Sequence, residues 1–227
     1  MLRIVLLCSL LSFGISARAE TETYNRVDFQ VEAAREVAND LLVTRLSADI
    51  QDSKPARVAQ QLNNTLNDAL KQAASFATVK TRSGNQRTYP VYGKNNQISA
   101  WRGHGEIQLE SRDFKAAGEL IMQLQTTLQL GSVQFTIAPD TRSQIENELI
   151  SAAIKAFQQR AVAIQTAVGA KSYQIVRFAI TSGGMPPTYP IQMMRSSAMA
   201  DEAIPTPEFA GGESRMTAQI TGTIELQ

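Results

Sequence analysis

The chain is 227 residues long, 43% hydrophobic and 19% charged, with a formal net charge of +1 at pH 7. That balance gives no electrostatic reason to expect nucleic acid or anionic lipid as a partner. One cysteine excludes a disulfide framework, and one histidine cannot furnish a conventional zinc site, which draws on several Cys or His ligands.

The first element reads as a leader. "MLRIVLLCSLLSFGISARAE" joins a basic start at Arg3 to an apolar run from Ile4 to Ile15 and then Ala17-Arg18-Ala19. This is the pattern of a cleaved signal peptide over residues 1–19, with cleavage near Ala19 and a periplasmic destination. Leu6 and Leu7 stand where a lipoprotein would have small residues before its cysteine. Cys8, Arg3 and Arg18 leave with the leader, so residues 20–227 have no cysteine and one more acid than base. That segment suits a single domain, or two small intertwined halves, and no later run is long enough to span a bilayer.

"RVDFQVEA" alternates Val27, Phe29, Val31 and Ala33 with Asp28, Gln30 and Glu32, the period of a half-buried strand. "DLLVTRLSADIQ" follows a short connection, Arg35 to Asn39, and the two strands are expected to pair with each other. Ser53 is expected to cap a helix that carries Pro55 in its first turn and a stripe of Val58, Leu62, Leu66, Leu70 and Ala73. An extended segment near Val79 to Thr81, a turn at Gly84-Asn85 and "TYPVYGKNN" come next, with Pro90 pointing to a sheet edge.

"ISAWRGHGEIQLE" holds the only Trp and the only His of the chain. Trp101, Gly103, Gly105, Ile107 and Leu109 alternate with Arg102, His104, Glu106, Gln108 and Glu110, which makes a strand with His104 on its polar face. Asp113 is expected to cap a helix with Phe114, Ala117, Ile121, Leu124 and Leu128 buried and Gly131 at its end. "SVQFTI" is a strand. Asp140 opens the longest helix, closed near Val168 by Gly169, with Ala152, Ala153, Ala156, Ala161, Ala163 and Ala167 available for close approach to a sheet. "SYQIVRFAIT" is a strand, residues 183–213 form an irregular loop rich in Met, Pro and Gly, and "RMTAQITGTIEL" closes the chain with clean alternation. The order gives an α+β fold: a mixed, largely antiparallel curved sheet with helices packed on one face.

Four stretches, in order and spacing, resemble the SIMPL-domain family of exported bacterial proteins, which includes oxidative-stress-defence and periplasmic immunogenic members. They are "TYPVYGKNNQISAWRGHGEIQLESRDF", "LQLGSVQFTIAPD", "ENELISAAIKAFQQRAVAIQTAVGAKSYQIV" and "FAGGESRMTAQITGTIEL", and the resemblance covers roughly Thr81 to Leu226. Within "REVANDLL", Asn39 stands where the family has proline, while Asp40 keeps its aspartate. The resemblance implies a role in envelope or oxidative-stress protection and supplies no catalytic residue.

Candidate chemistry is sparse. His104 on a solvated strand face lacks a nucleophile at a telling spacing, and the pairs Gly183-Gly184 and Gly211-Gly212 lack the strand-loop-helix setting of a phosphate cradle. Met185, Met193, Met194 and Met199 gather thioethers in one loop, a soft-metal or oxidation site suited to Cu(I) or to scavenging oxidants. Packing explains the same methionines more simply, and Tyr189, Met193 and Met194 then become an oligomer contact. The expectation is a non-enzymatic, exported homo-oligomer, associated with the envelope and without cofactor. A Cu(I)-binding or methionine-based antioxidant and a carboxylate-dependent hydrolase are the alternatives.

Overall fold

The computed structural model describes residues 24–184 and 210–227. The leader, Met185, Tyr189, Met193, Met194 and Met199 lie outside the described residues. The elements run β1 (Arg26–Ala38), β2 (Leu41–Asp52), α1 (Pro55–Ala73), β3 (Val79–Tyr92), β4 (Ile98–Ser111), α2 (Phe114–Leu124), β5 (Gln129–Thr136), α3 (Pro139–Val168), β6 (Tyr173–Gly184) and β7 (Glu213–Leu226). The α+β class holds, and the described strands divide between two sheets, each antiparallel throughout.

The four-stranded sheet has the order β3-β4-β2-β5. With α1 and α2 as its crossovers, the segment from β2 to β5 is a β-α-β-β-α-β unit of ferredoxin-like topology. Both helices pack on the same face. Helix α1 buries Val58, Leu62, Leu66, Ala69 and Ala73, with Leu70 half-buried beside them. Burying each of the leucines contributes roughly 1.5–3 kcal/mol. Gly103 and Gly105 allow α1 to come this close: a Cβ on Gly103 would sit 2.5 Å from Val58 Cγ1, and one on Gly105 2.8 Å from Leu66 Cδ1. Pro90 lies on β3, an edge strand as expected.

Two helix ends differ from expectation. Lys54, not Ser53, precedes the first turn of α1, and Asp52 Oδ1 accepts from the Lys54 amide at 2.9 Å while Ser53 only donates to that carboxylate. Asp113 does cap α2, accepting from the Ala116 amide at 3.0 Å. That helix stops at Leu124 rather than near Gly131, because Thr126 and Thr127 turn their hydroxyls back onto the Gln123 and Leu124 carbonyls. Gly131 lies inside β5, where the register against β2 shifts.

The three-stranded sheet has the order β1-β7-β6 and is covered by α3. Strands β1 and β2 are consecutive but do not pair with each other: β1 runs beside β7 from Arg26 opposite Glu225 to Ala38 opposite Glu213, and β2 lies between β4 and β5. Helix α3 buries Leu149, Ala153, Phe157 and Ala161, and Phe157 stacks on Phe29 with ring centroids 4.4 Å apart. Ala152, Ala163 and Ala167 face outward. Gly169 closes the helix in the left-handed region, φ 76°, a conformation open to glycine without cost. Strand β7 buries Met216, Ala218, Ile220, Gly222, Ile224 and Leu226, the face its alternation marks.

The unit from β2 to β5 is thus inserted between β1 and α3, and each unit has its own apolar core. Leu41 and Thr136 are opposite each other in register, so the insertion leaves and returns at one place.

Candidate functional site

That place is a seam built from few residues. Asn39 is buried; its amide donates to the Gly212 carbonyl at 3.0 Å and its Nδ2 to the Gly211 carbonyl at 2.8 Å, while Ser214 donates to its Oδ1 at 2.7 Å. Asp40 reaches the other way. Its carboxylate accepts from the Ala138 amide at 2.7 Å and from the Thr141 hydroxyl at 2.6 Å, satisfying the exposed donors at the start of α3, whose own leading residue, Ala138, has no capping side chain. Arg112, just after β4, bonds Asp140 and lies 3.7 Å from Asp40. The Arg112 bond holds the Asp140 carboxyl below its usual range, and the same bond pushes the guanidinium further up.

Beside the seam an open cleft of about 720 Å³ is lined by Leu41, Thr78, Lys80, Arg82, Glu110, Ser111, Arg112, Asp113, Ala138, Pro139 and Asp140. Its acids are already engaged. Asp113 holds α2 and accepts from Thr78, Asp140 holds Arg112, and Glu110 accepts from Gln108 and lies 3.8 Å from Arg82. Of these, the Arg112–Asp140 pair joins the two units, and the others lie within the inserted one. The resolved shifts of carboxylates among the described residues are downward: Asp52 by the Lys54 amide, Asp140 by Arg112, Glu148 by Arg35. A general acid near neutral pH requires the opposite shift.

His104 sits on the helix-free face of the four-stranded sheet, where alternation puts it, though only 17% of its side chain is exposed. Asp49, its register partner on β2, lies 3.1 Å from Nδ1, and Glu106 lies 3.0 Å from Nε2. A neutral imidazole has one N–H to donate, so it would turn a lone pair toward one carboxylate; the imidazolium donates to both. The bond to Glu106 above all, with Asp49 adding to it against desolvation, therefore raises the His104 pKa. Both ring nitrogens are occupied, which leaves neither free to take a proton from a substrate hydroxyl. Trp101 faces the helices, half-buried. Among the described residues no group of three or more His, Cys, Asp or Glu could hold a metal ion.

His104 and Trp101 fall on opposite faces, and the loop methionines and Tyr189 lie outside the described residues. The seam residues Asn39, Asp40, Arg112 and Asp140 come together instead. The only signal for them was their place in the family motifs, at "ND", "RD" and "PD".

Two antiparallel units, one inserted in the other and tied by an Asn-Asp pair, define a two-unit α+β protein. The SIMPL family, described as a protein of unknown function (DUF541), matches residues 27–224, and the chain belongs to it. Comparison with curated proteins gives no match.

Proposed function

We propose that the chain is exported to the periplasm by cleavage near Ala19 and acts there as an assembly of identical copies, without catalysis of its own. Envelope or oxidative-stress protection is the role that the family resemblance implies for such an assembly. The observation that supports assembly is the edge strand β6. Phe178 and Ile180 lie opposite Gly222 and Ile220 on the core-facing side of the sheet, yet are 49% and 41% exposed, and Ile175 and Val176 are exposed as well. Strands at sheet edges are normally guarded by charge, proline or shortness. Strand β3 has Pro90 and three cations, β1 alternates with charges, and β5 is short and bulged. Strand β6 has twelve residues, Arg177 as its sole charge and no proline. Among the described residues this apolar row lies at an edge without a further ladder partner, which is suited to a second copy of the same edge.

Light scattering on the mature chain is expected to give a multiple of the monomer mass, and Phe178→Glu/Ile180→Glu to lower it while keeping the far-ultraviolet spectrum. A monomeric wild type refutes the assembly. Cell fractionation tests export separately: the mature chain should leave with the periplasmic fraction.

A further inference from the structure

Charge is unevenly divided along this chain. Residues 41–136, which form the four-stranded unit, contain eleven Lys and Arg against seven Asp and Glu; the other described residues have eight against nine. The excess shows on the helix-free face. Register places Arg45 and Arg82 beside Gln108, Arg87 beside His104, and Lys80 beside Glu110, while Arg102 lies opposite Tyr89. The acids on that face are spent locally, Asp49 and Glu106 on His104 and Glu110 on Gln108 and Arg82, which leaves Arg45, Lys80, Arg87 and Arg102 as the excess, Arg102 donating to the neutral Gln51. The β3–β4 hairpin continues this face to a tip of a different kind. Tyr92 and Ile98 oppose each other there, 57% and 51% exposed, on either side of a tight turn at Lys94–Asn96. Tyr89 is exposed nearer the sheet, with the Arg87 guanidinium 5.8 Å from its ring centroid.

Exposed Tyr and Ile at a projecting tip, flanked by Lys94, Arg87 and Arg102, is the composition of a membrane-interface anchor: the apolar groups enter the headgroup region while the cations meet lipid phosphates. We propose that the β3–β4 hairpin and the cationic face behind it dock on a bilayer surface that carries anionic phospholipid. The occupant follows from that combination, since an acidic polymer would engage the cations and leave Tyr92 and Ile98 without a partner. This goes beyond assembly through β6, and it uses a different unit of the molecule.

Co-sedimentation of the mature chain with phosphatidylglycerol-containing vesicles tests it, with phosphatidylcholine vesicles alongside. The chain is expected to sediment with the anionic vesicles, weakly with the neutral ones, and less as salt shortens the screening length. Arg87→Glu/Arg102→Glu should lower partitioning by at least about tenfold, each charge near the surface being worth about fivefold. Tyr92→Ser/Ile98→Ser, at exposed positions with little bearing on the core, should lower it at unchanged salt dependence. Lys71→Glu/Lys115→Glu on the helical side makes the same net charge change and should leave it within about twofold. Equal binding to both vesicle types, no binding to either, or equal loss in the helical-side variant overturns the proposal. So does binding to soluble polyglutamate with none to vesicles, which would assign the face to an acidic polymer. Repeating the measurement on Phe178→Glu/Ile180→Glu separates this outcome from a failure of the assembly reading.

Discussion

At the scale of single residues, His104 shows how position converts a rare residue into a structural one. The alternation of β4 fixes its face, but sequence could not show Asp49 opposite, because register between β2 and β4 is set by long-range pairing. The resulting tie is proton-linked. Desolvation opposes protonation of His104, while Glu106 and Asp49 favour it and prevail. A folded pKa above the ordinary value of 6.5 means that the stabilisation is complete below that value and lost as pH rises through the folded one. Urea midpoints at about pH 5 and about pH 9 should therefore differ more for wild type than for His104→Gln, with the variant losing about 1–2 kcal/mol at the acid end only. As the chain has one histidine, the difference between the two proteins isolates this group. Equal pH dependence in both would show that the tie carries no linkage.

At the scale of elements, the amphipathic helices and strands were legible wherever their own periodicity decided them: α1, β4 and β7 bury the faces their patterns mark, whereas α3 turns half of its marked alanines outward and buries Leu149 and Phe157 instead. Partners were not legible. Strands β1 and β2 alternate alike and follow each other closely, so adjacency suggests a hairpin, yet β1 finds its ladder almost two hundred positions away in β7. The reason lies in the two residues between them. Asn39 spends its amide and side chain on Gly211, Gly212 and Ser214, and Asp40 spends its carboxylate on α3, so the chain leaves one sheet and enters the other without a turn. Proline, the family's usual residue here, cannot donate the bond to Gly212, and it would leave Ser214 and the Gly211 carbonyl without Asn39's side chain. Asn39→Pro is accordingly expected to destabilise the protein by roughly 2–4 kcal/mol, the cost of several buried polar groups losing partners. Asp40→Asn should cost less, about 1 kcal/mol, since an amide oxygen can still accept from Ala138 or Thr141. Thermal midpoints rank the two, and the reverse order would contradict the seam.

At the scale of the whole molecule, the topology makes a sharper demand. An inserted unit whose first and last strands pair, Leu41 opposite Thr136, closes on itself without the host. Its core draws on β2, β3, β4, α1 and α2, with Phe76, Leu128 and β5's Val133 and Phe135 packed against them, and the host's core draws on β1, β7 and α3 with Ile137, Ala170 and Tyr173 at its edges. A segment of this size with its own core and adjoining ends meets the conditions for independent folding. Residues 41–136 produced alone should show helical and strand signals in the far ultraviolet and melt in one cooperative transition. The midpoint should lie below that of the full chain, because excision takes away Asp140, which Arg112 bonds, and Asp40, which lies 3.7 Å from that guanidinium. Arg112 and Asp140 are exposed, so the loss should be a small part of the unit's stability rather than the whole of it. The remainder makes a different case: β1 and β7 reach their register from opposite ends of the sequence, and that pairing has to form across the inserted unit. An excised unit that shows no cooperative transition would mean that the two cores, separate in space, are one in energy.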